Sequence, residues 1–176
     1  MIWLGSTTQR AAADQWLPLN ACHYMYTLHC TKKLLDRIKP SIATSLPPPT
    51  TALGNWYATA LFWKPQLALL VNERTLLPVL MPLAPASTLA ARFSDELAAA
   101  LSRHGANQEF IERERAAMTE VAMGKTANRS VVGTMNEFSF LSEGYREYLE
   151  TSDLVTLSMR LAYSGRPAPA RPTAAR

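Results

Sequence analysis

Apolar positions along the chain recur with two different periods, and the change from one to the other falls near its middle. Tyr26 to Cys30 reads as a short strand. Thr31 then sits where a hydroxyl can cap a helix carrying Leu34, Leu35 and Ile38 on one side, ended by Pro40. Residues 40–54, with three consecutive prolines from Pro47 to Pro49, read as a loop. Trp56 to Trp63 is aromatic and β-prone, with small residues spaced between large ones, and reads as a strand buried on both faces or nearly so. Gln66 to Val71 is a second apolar run, Asn72-Glu73-Arg74 a turn, and Thr75 to Met81 a third strand. Pro78 cannot donate to a ladder, which puts this last strand at an edge or a bulge.

After Pro82 and Pro85 the period lengthens. Ser87 is a candidate cap, and Leu89, Phe93, Leu97 and Leu101 follow at helical spacing, with Gly105 suited to a left-handed close. Asn107 can cap a second helix with Phe110, Ile111, Met118, Val121 and Ala122 on one face, ended by Gly124. Its opposite face, Glu109, Glu112, Arg113, Glu114 and Arg115, reads as solvated charge. A helix from about Ser130 to Leu149 comes next, then one capped by Asp153 and carrying Leu154, Leu157 and Leu161. These elements predict an α+β fold: a small antiparallel β-meander of about three or four strands, with a run of four or five helices over one face.

Length and composition set the outer limits. At 176 residues the chain fits one domain. Residues 25–163 hold the patterned elements. Residues 1–24 show no sustained period and read as an extension foreign to the domain, with Met25 as a candidate start. Residues 164–176 are dominated by Pro, Ala and Arg and are expected to be disordered. No apolar run is long enough to span a membrane, and the first residues lack the build of a secretory signal. The two cysteines, Cys22 and Cys30, are too few for a disulfide scaffold, which makes a cytoplasmic setting the expectation. The net charge of +4 falls to +1 once Arg166, Arg171 and Arg176 of the tail are set aside, so the body is nearly neutral and a protein partner is favoured over nucleic acid.

The densest mixture of specific polar and apolar residues runs from Lys125 to Glu137 and includes Thr126, Asn128, Arg129, Ser130 and Asn136. Gly124-Lys125-Thr126 resembles the end of a phosphate loop, but Thr119 stands where the first glycine belongs and a helix is expected where the motif needs a strand. A looser reading places an anion at the helix start, held by Lys125 and Arg129. Against it stands the commoner arrangement, in which Asn128 caps the helix and Arg129 pairs with Glu137 or Glu143. Asn136 would need partners if buried. His23, His29 and His104 show no metal-ligand spacing, adjacent His29 and Cys30 in a strand face opposite ways, and no CxxC pair is present. Neither a metal nor a cofactor is expected. Cys30 reads as a buried structural thiol.

The segments HCTKKLL (His29 to Leu35), Trp56, NERTLLPV (Asn72 to Val79), KTANRSVVGTMNEF (Lys125 to Phe138) and DLVTLSMRLA (Asp153 to Ala162) resemble a family of small bacterial proteins known only as a domain of unknown function. The resemblance spans about residues 25–163 and implies no activity. The functional expectation is a non-enzymatic binding or regulatory module using Lys125 to Glu137. The alternative is a small enzyme acting on an anionic substrate. There Lys125 and Arg129 would hold the anion, Ser130 or Thr126 would act beside it, and a base such as His29 or Glu73 would arrive through the fold. A third reading makes the segment a polar staple between sheet and helices.

Overall fold

A computed structural model describes residues 25–146 and 154–164. The expectations for residues 1–24, for the Asp153 cap and for the tail beyond Ser164 lie outside these described residues. The class is α+β, as the pattern implies, but the sheet is larger and differently paired.

The meander is present. Strands β2 (Trp56–Leu61), β3 (Leu67–Asn72) and β4 (Pro78–Pro82) pair antiparallel in sequence order. Strand β1 (Met25–Cys30) lies parallel to β2, and a strand that the helical reading had absorbed, β5 (Glu120–Lys125), lies parallel to β1. The result is a mixed five-stranded sheet in the order β4-β3-β2-β1-β5. Met118 to Met123 fits either period, and the decision is made from outside. The edge of β1 offers a full row of backbone groups, and β5 satisfies them from Met25↔Glu120 to Cys30↔Lys125. The second long helix therefore stops at Ala117.

Helices cover both faces rather than one. Alternation along the strands sends Leu28, Trp56, Leu70 and Met81 to one side and Tyr57, Leu69, Val71 and Leu80 to the other. On the first side lie α1 (Lys32–Ile38), α2 (Leu89–Arg103) and α3 (Gln108–Ala117). On the second lie α4 (Arg129–Glu143) and α5 (Leu154–Ser164), with Val131, Met135, Phe138, Leu157 and Leu161 turned inward. Phe93 of α2 meets Trp56 edge-on at 4.9 Å, a pairing worth about 1 kcal/mol beyond the area it buries. The edge of β4 is closed by α5, where Ser158 Oγ accepts the Leu80 N–H at 2.8 Å.

The capping residues divide. Asn107 caps α3 by accepting the Glu109 N–H, and Gly105, at φ 75°, closes α2 in the left-handed region where glycine fits without strain. Thr31 stands at the start of α1 but spends its hydroxyl on Thr59 Oγ1 at 2.9 Å. Ser87 lies in a 3-10 turn, Ala86–Thr88, and α2 begins at Leu89 without a side-chain cap. The helix expected over 130–149 ends at Glu143.

Glu114 overturns the reading of α3 as a simple charged face. It is only 2% exposed, and its carboxylate accepts the backbone N–H groups of Ala52 at 2.8 Å and Leu53 at 2.9 Å. It thereby fixes the loop between α1 and β2, whose backbone would otherwise leave two donors without partners. Hydrogen bonds to a charged acceptor are worth more than neutral ones. Glu114→Ala is expected to cost about 3 kcal/mol, roughly 6 to 12 °C in Tm for a chain of this size. Glu112→Ala, on the exposed side of the same helix, is expected to stay within about 0.5 kcal/mol; equal melts for the two variants would refute the anchoring role.

Cys30 is buried among these strands, and burial pushes its thiol up from an ordinary value near 9 to about 12. The Tyr26 phenol is raised too, by burial and then by the nearby Cys30. The unfolded chain ionises such groups first. Their stabilising contribution is therefore complete below about pH 9 and is lost as the pH climbs towards 12. A Cys22→Ser protein should show Cys30 unreactive to a thiol reagent at pH 8 until denaturant is added, and its midpoint of denaturation should fall from pH 9 upward. Rapid labelling of the native protein would contradict the burial.

Candidate functional site

The end of β5 and the start of α4 meet the second face of the sheet at one tyrosine. Tyr57 follows Trp56 in β2 and so points to the side that α4 covers. Its hydroxyl accepts the Asn128 backbone N–H at 3.0 Å and donates to Glu73 Oε1 at 3.4 Å. Burial raises its pKa; the amide of Asn128 pulls it back, and the Glu73 charge raises it again, so the phenol stays protonated as the donor to Glu73. The Glu73 carboxylate also accepts from Asn55 Nδ2 at 3.3 Å and Asn128 Nδ2 at 3.4 Å. The Asn128 side-chain oxygen caps α4, accepting from Ser130 N at 3.0 Å and Val131 N at 3.4 Å.

His29 completes the group. Its ring stacks on Tyr57 with centroids 4.6 Å apart, and its Nδ1 lies 2.9 Å from the Lys125 carbonyl oxygen. A carbonyl can only accept, so Nδ1 donates this bond. Next to it, Gly124 leaves room for Leu46, whose Cδ1 would stand 2.9 Å from a Cβ built there. Beneath, Asn55 Oδ1 accepts the Thr27 N–H at 3.3 Å. Thr27 Oγ1 is buried and has no hydrogen-bond partner among the described residues. Asn72 organises the adjoining hairpin. It is fully buried, its Oδ1 accepts from Arg74 N, Thr75 N and Thr75 Oγ1, and its Nδ2 donates to the Leu53 and Asn55 carbonyls.

The seven sequence candidates separate. Asn128 comes together with Tyr57 and Glu73, and the Lys125 carbonyl with His29; Thr126 follows Lys125 in the chain with no hydrogen bond to the cluster among the described residues. Arg129 and Ser130 follow on the exposed first turn of α4, and Asn136 and Glu137 lie about two turns further along it, roughly 12 Å by helical rise. Asn136 is exposed, so it needs no buried partner. The expected ion pair of Arg129 with Glu137 or Glu143 does not form. Glu143 bonds instead to Arg146 and Trp63, at 2.7 and 2.8 Å. Those contacts hold its carboxyl below the usual range, the Arg146 hydrogen bond most of all. Lys125 and Arg129 carry exposed cations without a counter-ion among the described residues.

Sequence reasoning took Tyr57 as a core strand aromatic, which it is, but not as a hydrogen-bonding centre; it passed over Asn55 and saw Asn72 only as turn chemistry. One signal was available: Asn55 and Tyr57 stand two apart around a strand start, the spacing that puts two side chains on one face. Among the described residues no three His, Cys, Asp or Glu side chains gather as a metal site would need, and no helix is long and apolar enough to cross a membrane.

No curated protein and no solved structure matches the chain. One family model does, described as a domain of unknown function (DUF6933), over residues 27–169. That span takes in every strand and helix of the fold except the first two residues of β1. The match covers well over half of the sequence, and the chain belongs to this family.

Proposed function

We propose that the chain is a non-enzymatic binding module whose partner is a protein meeting the outer face of α4, from Lys125 through Glu137. The observation that carries this reading is Phe140, 80% exposed on the same helix. Arg129, Gly133, Asn136 and Phe140 follow at intervals that place them in one stripe. All four are exposed, and a Cβ built at Gly133 would meet nothing within 4 Å. An aromatic and an arginine on one open surface have the composition of interface anchors. The near-neutral body supports a protein partner over nucleic acid. The buried free thiol of Cys30 supports a cytoplasmic setting.

A second reading draws on His29. Its Nδ1 contact with the Lys125 carbonyl holds the ring beside the segment that carries Lys125 and Arg129, which is where a base would be needed for an enzyme acting on an anionic substrate. Lys125 and Arg129 would hold the anion, with Ser130 or Thr126 beside it. The capping of Ser130 N and Val131 N by Asn128 leaves that site fewer backbone donors for an anion.

For the leading reading, Arg129→Ala and Phe140→Ala should each leave the melt within about 2 °C, since both side chains are exposed and neither makes a hydrogen bond, ion pair or ring contact among the described residues. A photo-crosslinking residue at Asn136 should trap a partner in cells, and both substitutions should abolish that product. A fall of about 8 °C or more in either variant would make the stripe structural. For the second reading, hydrolysis of a panel of phosphate and carboxylate esters should be lost in both His29→Asn and Arg129→Ala; wild-type protein inert towards the whole panel would dismiss it.

A further inference from the structure

Away from the Tyr57 cluster, a cavity of about 490 Å³ opens where the β3–β4 hairpin, the end of α2, α4 and α5 converge. That volume falls within the roughly 300–1,000 Å³ of small-molecule sites. We propose that it binds an amphiphile with an apolar body and a single cationic head, of the alkylammonium class, with the head at Glu137. The cavity shares Glu137 with the segment proposed to meet a protein partner but takes in none of the stripe Arg129, Gly133, Asn136 and Phe140.

The walls select the body of the ligand. Leu76, Leu77, Leu101, Phe138 and Leu161 supply apolar surface from four separate elements. Three of the lining hydroxyls are committed: Thr75 to Asn72 Oδ1 at 3.0 Å, Thr134 to the Ser130 carbonyl at 3.3 Å, and Ser164 to the Leu161 carbonyl at 2.7 Å. His104 and Tyr163, whose ring centroids are 5.9 Å apart, face each other in the same lining. Glu137 is different. Its carboxylate lines the cavity yet makes no hydrogen bond or ion pair among the described residues. A largely apolar pocket with an exposed, unpartnered carboxylate at its lining favours a cation and disfavours a fatty acid, whose own carboxylate would meet like charge.

Leu76 adds an observation of another kind. It sits at φ 56°, in the left-handed region that suits glycine or asparagine, and it is 40% exposed at the cavity wall. A leucine held against its backbone preference, with its side chain neither buried nor turned away, is the kind of outlier that accompanies a ligand contact.

The test titrates the full chain calorimetrically with decylammonium, decanoate and decanol, each below its micelle concentration. Decylammonium is expected to bind at least about tenfold more tightly than decanoate. Glu137→Gln should remove that preference while leaving decanol affinity unchanged. Ala162→Phe, which fills the cavity from α5, should abolish binding of all three. Leu76→Asn, which suits the left-handed backbone and removes the apolar side chain, should weaken all three without lowering the melt, and it carries the test alone if Ala162→Phe does not fold. Failure of decylammonium to bind, a decanoate affinity equal or higher, or a cation preference that survives Glu137→Gln would each overturn the proposal.

Discussion

One phenolic oxygen holds three parts of this molecule in register. Tyr57 Oη accepts from the backbone at the start of α4 and donates to the carboxylate that sits in the β3–β4 hairpin. Because its acceptor and donor capacities are both used, the tyrosine can be buried without penalty. The consequence for α4 is rotational. With Asn128 pinned, Val131, Met135 and Phe138 must face the sheet, and Arg129, Gly133, Asn136 and Phe140 must face outward. The outer stripe follows from that bond as much as from the helix's own sequence.

The same bond changes what the helix start can do. An N-terminus binds anions because its first N–H groups are free and point outward. Here the Asn128 side chain takes the N–H groups of Ser130 and Val131, and the Asn128 N–H goes to Tyr57. The backbone contribution to an anion site is largely consumed by the fold. Any attraction left at this end belongs to the Lys125 and Arg129 side chains, which are long, exposed and screened by solvent. Such charges steer an approaching surface more readily than they hold a small anion.

Where the signal was local, the sequence was readable. The meander and α2 follow from period and punctuation, and the Asn107 and Asn128 caps from residue type at a helix start. The failures share one cause: the deciding partner is far away along the chain. Glu120 to Lys125 could be helix or strand until β1 offered its edge. Glu114 looks like one of a run of surface charges, and only the loop amides of Ala52 and Leu53, some sixty positions earlier, make it a buried anchor. Tyr57 and Asn128 are 71 positions apart, and nothing near either announces the other. His29 and Glu73 were nameable only as groups the fold could deliver, and the fold delivered them to opposite sides of the tyrosine: one on its ring face, the other on its hydroxyl.

That arrangement bears on which of these polar groups remain available for function. In the Tyr57 cluster most donors and acceptors are matched within the protein, while Thr27 Oγ1 has no partner among the described residues. A network so satisfied rigidifies its surroundings, and a ligand would have to break bonds to enter it. The groups left over are on α4. Arg129 and Glu137 are separated by about 12 Å along the helix, beyond the screening length of about 8 Å at physiological salt. They therefore neither pair nor appreciably neutralise each other. The helix presents a positive end and, two turns on, a negative position beside an apolar cavity. An ordered pair of opposite charges flanking open surface can discriminate one orientation of a partner from its reverse, because the reversed partner meets like charge at both ends. The buried tyrosine fixes the geometry, and the charges on the helix it positions have no partner among the described residues.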